Sequence, residues 1–166
     1  MIADFDATRG LTMIPDRVVE VLSGPAIMFV GSRDAGLRPA HTTAVGAVAY
    51  EDRQTVTFFV PESRSARLLS NLRDNGRIAF DFGLFSHEAY QLKGVYLSSR
   101  PTTDEDLARQ EAYRKKLVTA VRQAYPEELA RPLVLGLGYH PGIAVTFRVE
   151  EVYLQTPGPG AGTKMA

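Results

Sequence analysis

The stretch "TFFVPESRSARLLSNL", residues 57–72, gathers groups that bind anions: Ser63, Arg64, Ser65 and Arg67. They stand where an apolar, aromatic strand meets Pro61 and hands over, through a short polar turn, to an Arg-bearing amphipathic helix. Two forked guanidinium groups and two hydroxyls, beside the free amides of a helix N-terminus, make a favourable anion site. A solvated turn has the same composition, so the rest of the chain must decide between the two.

The other reactive side chains are scattered. His41 lies on a strand rich in small residues, in reach of anything bound there; as a barrel-end histidine it needs no such role. His87 shares a loop with Ser86 and Glu88, but neighbours in a loop do not make a triad, whose members must meet across a fold. His140 precedes Pro141 in a glycine-rich connection and reads as structural. Three histidines at these separations lack metal-ligand spacing, and the absence of cysteine excludes thiol catalysis, disulfides and thiolate-bound metals. Gln91 and Lys93 share one face of a strand, either as a polar site pair or as a solvated one. Gly136 and Gly138 follow no strand and form no dinucleotide fingerprint.

These residues must be positioned by a chain of 166 residues, 45% hydrophobic and with equal numbers of acidic and basic groups. That is one domain with a real core. Balanced charge argues against a nucleic-acid binder, no apolar run approaches the roughly 18 residues of a membrane span, and the N-terminus has no signal-peptide pattern. A cytoplasmic protein is expected. "PDRVVEVLSG" predicts a short helix ended at Gly24. Strands follow at "PAIMFVGSRD", "RPAHTTAVGAVAY", "TVTFFV", "GRIAFDFG" and "EAYQLKGVYLSSR", with a helix over about 65–73 before the fourth. In the fifth, Tyr90 and Leu92 point inward, then Val95 and Leu97 after a shift at Gly94. Gly46 and Ala47 are expected to leave room for a flat group against the sheet. Thr103 and Asp106 signal the cap of a helix to about Ala124, and a further helix starts at Pro126. In the last strand, "IAVTFRVEEVYLQ", the spacing from Val149 to Val152 predicts a bulge at Glu150 and Glu151. Six strands in hairpin succession predict a mainly β (α+β) domain over 1–155, a six-stranded antiparallel barrel with flanking helices. The Gly/Pro-rich tail, 156–166, is expected to be disordered or held by a partner.

The order of elements resembles the flavin-binding split-barrel family, the pyridoxamine 5′-phosphate oxidase-like proteins. The resemblance runs from Val18 to Gln155 and rests on "RPAHTTAVGAVAY", "TFFVPESRSARLLSNLRDNGRIAF" and "YQLKGVYLSSRPTTDED". It implies an FMN-binding oxidoreductase, with the FMN phosphate on the 63–67 turn. The cofactor set it implies is Ser63, Arg64, Ser65 and Arg67 with Phe59 and Val60 before them, His41, Thr42 and Thr43 on the second strand, and Gln91 and Lys93 on the fifth. It further implies a homodimer with the cofactor between subunits and a small-molecule substrate or electron donor. A flavin, deazaflavin or haem, held without turnover, is the alternative. Where the vitamin oxidases carry Arg and Lys on the second strand, this chain has Thr42 and Thr43, and its tail lacks their Arg and His groups. Pyridoxine phosphate is therefore not the expected substrate.

Overall fold

The computed structural model describes residues 12–136 and 142–166. His140 and most of the glycine-rich connection, like the first eleven residues, lie outside them. Helix α1 (Asp16–Leu22) leads into strand β1 (Ile27–Arg33). Strands β2 (Pro39–Ala44), β3 (Ala47–Ala49) and β4 (Thr55–Pro61) follow. A turn of 3-10 helix (Glu62–Arg64) then enters α2 (Ala66–Asn75), and β5 (Arg77–Gly83) and β6 (Ala89–Pro101) form the next hairpin. Helices α3 (Asp104–Ala124) and α4 (Glu127–Gly136) precede β7 (Gly142–Leu154).

The sheet has seven strands rather than six, in the order β2-β1-β5-β6-β7-β4-β3. The extra strand arises where "RPAHTTAVGAVAY" breaks between β2 and β3. Gly46 takes φ +106°, which turns the chain from pairing with β1 to pairing with β4. The two edge strands are thus consecutive in the chain. No ladder closes the sheet among the described residues. Instead Val45 N–H donates to Phe59 O and Phe59 N–H to Gly46 O, so the break itself draws the edges together. Gly46 does not leave room for a ligand: a Cβ there would lie 3.4 Å from the Tyr113 side chain and 3.6 Å from Phe59.

The concave interior holds the core, including Val30, Leu92, Val149 and Val152, with Leu68, Leu69 and Leu72 of α2 plugging one end. Phe58 stacks on Phe80 at 5.0 Å and meets Phe147 edge-on at 5.9 Å. Each such buried side chain contributes on the order of 1.5–3 kcal/mol by leaving water. The predicted bulge in β7 is present. Lys93 pairs with Glu151 and Gly94 with Val149, so Glu150 is the extra residue. Because the extra residue is on β7, β6 keeps its phase through Gly94. Tyr96 packs against the core, and Leu97 is exposed, contrary to the expected shift. Gly94 is required by proximity, since a Cβ there would fall 2.0 Å from Arg148 O.

The tail is folded, contrary to expectation. Val152 N–H donates to Ala166 O, Met165 N–H to Val152 O, Leu154 N–H to Thr163 O and Gly162 N–H to Leu154 O. It lines the end of β7 that β4 leaves unpaired beyond Thr55.

Candidate functional site

The chain leaves β4 at Pro61, whose φ of −61° suits the tight turn that follows. Ser65 N–H and its hydroxyl both donate to Glu62 O, at 3.3 and 3.1 Å. Ser65 is consequently buried, and its hydroxyl is spent inside the turn. Ser63, Arg64 and Arg67 project into solvent. No side chain caps α2, and neither Arg64 nor Arg67 has a hydrogen bond or ion pair with a described residue. The helix is anchored at its other end. Asn71 Nδ2 donates to Ser32 Oγ at 3.2 Å, and Gly76 (φ +70°) ends α2 with its N–H on Leu72 O.

The other expected residues divide by the pleat. Val60 belongs to the core, Thr42 is buried, and Phe59 is buried on the opposite face, near Tyr113. His41, Thr43, Gln91 and Lys93 stand on the outer face, as period-two alternation requires. There the register aligns two cross-strand rows. One runs His41–Gly31–Ala79–Lys93–Glu151, and the next Thr43–Phe29–Asp81–Gln91–Tyr153. In the second row Gln91 Nε2 donates to Asp81 Oδ1 at 2.8 Å. Burial raises the Asp81 carboxyl above its ordinary range, opposed by that bond and by the Lys93 charge.

The first row floors a concavity of about 450 Å³, lined also by Arg33, Arg77 and Glu150. His41 and Lys93 therefore share one site, and none of residues 59–67 lines it. Within one chain, the expected cofactor set resolves into two places: the cationic turn, and this outer face. The concavity is not evident from any single segment of the sequence. Its signal was there in Gly31 and Ala79, two minimal residues in the outward phase of β1 and β5. No group of three or more His, Asp or Glu suited to a metal occurs among the described residues, and no helix among them is long and apolar enough to cross a membrane.

At the level of sequence, no protein-family model and no curated protein matches the chain. Solved structures do. HupZ of Group A Streptococcus superposes with a TM-score of 0.54 at 18% identity, covering 90% of this chain and 100% of that one. An F420 reductase gives 0.55 at 11% identity over 84% and 98%. A putative pyridoxamine 5′-phosphate oxidase from Lactobacillus delbrueckii gives 0.51 at 12% over 85% and 93%. The fold is the one that HupZ, the F420 reductase and the putative pyridoxamine 5′-phosphate oxidase share.

Proposed function

We propose that the protein binds a phosphorylated flavin, FMN or a deazaflavin, with the phosphate on the 63–67 turn, and acts as an oxidoreductase on a small substrate. The observation that carries this reading is the pair of exposed guanidinium groups, Arg64 and Arg67, which have no partner among the described residues and stand beside an uncapped helix N-terminus. Cations are unfavourable at that end of a helix dipole, so the pair is not there to stabilise α2. An anion placed there satisfies the guanidinium forks and the free amides together. Ser63 adds an exposed hydroxyl; Ser65 contributes its place in the turn rather than its own hydroxyl.

The bound flavin would supply hydride and electron transfer. The chain's own part is to fix the phosphate and cover the ring. For the covering, a second copy of the chain is the fitting partner, because the outer face exposes Ile27 and Phe29 beside Thr43 and Gln91. Neither Thr42 nor Thr43 offers the charge that a second phosphate beside the flavin needs, so oxidation of pyridoxine phosphate is not expected.

The test is an absorption spectrum of protein loaded with FMN and desalted. Retained bands near roughly 375 and 450 nm, with sedimentation as a dimer, support the reading. A colourless monomer, or a Soret band in protein as purified, overturns it. Reduction of the bound flavin by nicotinamide nucleotides in stopped flow then separates an oxidoreductase from a carrier.

A further inference from the structure

The concavity over Gly31 and Ala79 is shaped and charged for a ligand of its own. We infer that it binds a planar aromatic carboxylate, flat on the peptide floor, with the carboxylate held by Arg33 and Lys93. This goes beyond the flavin reading, which rests on the 63–67 turn, and no residue of that turn lines the concavity.

The floor is flat because it lacks side chains. Gly31 and Ala79 are direct cross-strand partners at the centre of their row, and a Cβ on Gly31 would meet no heavy atom closer than 3.9 Å. Neighbouring strands lie about 4.8 Å apart, so the backbones of β2, β1, β5 and β6 span enough width for a bicyclic ring. The volume, about 450 Å³, falls in the ordinary range of small-molecule sites. The bulge shapes one rim by placing Glu150 and Glu151 side by side at the β7 edge.

Charge selects the ligand's sign and its magnitude. Of the cations around the concavity, Arg77 is paired with Glu150 at 3.0 Å, and Arg148 approaches the same carboxylate at 3.9 Å. Glu151 accepts from the Tyr153 hydroxyl at 2.8 Å and faces Lys164 at 3.6 Å. Both acids thus have partners at the rim, and Glu151 also feels the Lys93 charge. The Arg33 guanidinium has one hydrogen bond among the described residues, 3.5 Å to the carbonyl of Asp34. Among the described residues Lys93 has no carboxylate within ion-pair range, and its Nζ rests 4.5 Å over the Tyr153 ring. Two cations outside ion-pair distance of any described carboxylate suit one carboxylate ligand, the guanidinium fork matching its two oxygens. The compensated acids on the rim still repel a dianion. A monoanion is favoured over a phosphate for that reason.

The experiment uses the full chain without added flavin and follows backbone amide resonances during titration with 2-naphthoate. Saturable shifts at Gly31, Ala79 and His41 are expected, with 2-naphthamide, the neutral isostere, at least about tenfold weaker. The double variant R33Q/K93Q, both exposed side chains, should also lose about tenfold or more while keeping its amide dispersion. R64A/R67A should bind naphthoate as the unaltered protein does, so a failed flavin site leaves this result intact. Equal binding of acid and amide, shifts that avoid the floor, or an unaffected double variant would overturn the inference. Tighter binding of 2-naphthyl phosphate would overturn the assignment to a carboxylate.

Discussion

Two helices of this protein begin in opposite ways. The N-terminus of α3 is complete in itself. Thr103 Oγ1 accepts from Asp106 N–H, and Asp106 accepts from Thr103 N–H, closing a capping box. Arg100 reaches the same buried carboxylate, and Asp104 and Glu105 add negative charge to the first turn, where the dipole favours it. The N-terminus of α2 has none of this: no side-chain cap, no acid in its first turn, and two arginines with no partner among the described residues. One terminus spends its polar groups on stability. The other keeps them available, and the contrast is what marks 63–67 as a place for an outside anion.

The sharpest way to break that comparison is to remove the free pair. R64A/R67A should weaken FMN binding by about 3 kcal/mol or more, since charged hydrogen bonds contribute about 1.5–3 kcal/mol each. Riboflavin, which has no phosphate, should bind both proteins alike in a fluorescence titration. Unchanged FMN affinity would place the cofactor elsewhere.

Next in size is the self-satisfied terminus. Asp106→Ala removes the box and the Arg100 partner together, and should cost about 2 kcal/mol in urea unfolding, after allowing for the half-exposed Arg100 side. The Arg100 guanidinium, with the Thr103 bonds and against burial, holds the Asp106 carboxyl down to about 2. A depressed carboxyl stabilises the fold fully above its unfolded value near 3.9, and that contribution fades as pH falls toward 2. The unaltered protein should thus lose stability between about pH 4 and 2 more steeply than Asp106→Ala does. Parallel curves would contradict the pairing.

A smaller effect tests how α3 meets the break between β2 and β3. Gly46→Ala forces a non-glycine residue to φ +106° and presses a methyl toward Tyr113. Thermal unfolding should report a loss of about 1–2 kcal/mol with little change in FMN affinity. The smallest effect is the most telling. In the absence of ligand, R64A/R67A should be as stable as the unaltered protein or up to about 0.5 kcal/mol more so, because it removes cations from the wrong end of a dipole. A clear destabilisation would make the two arginines structural.

Much of this was legible in the sequence where local rules and tertiary structure agree. The Thr103 cap, the β5 alternation of Ile78, Phe80 and Phe82 and the β7 bulge each follow from spacing alone, and each is present. The failures share a cause. Gly46 matters by its conformation rather than its size, and conformation depends on where the next strand must go. The phase of β6 past Gly94 was misjudged because the extra residue belongs to its partner strand, information no single segment contains. The turn itself was recognised, but the direction of the Ser65 hydroxyl was not, since a short polar turn can aim its serines inward or outward with the same letters. The concavity needed two strands' outward residues to be laid side by side.

The folded tail has a consequence for how this molecule keeps to itself. A half-unpaired strand is a template: its open amides and carbonyls will accept any extended chain of suitable register, including the same segment of another copy. On β7 those groups belong to Val152 and Leu154, and the tail's own backbone already occupies them. The segment that looked least able to form structure therefore serves as a guard against fibre-like stacking, and its glycines and prolines suit that post, because they end the ladder instead of extending it.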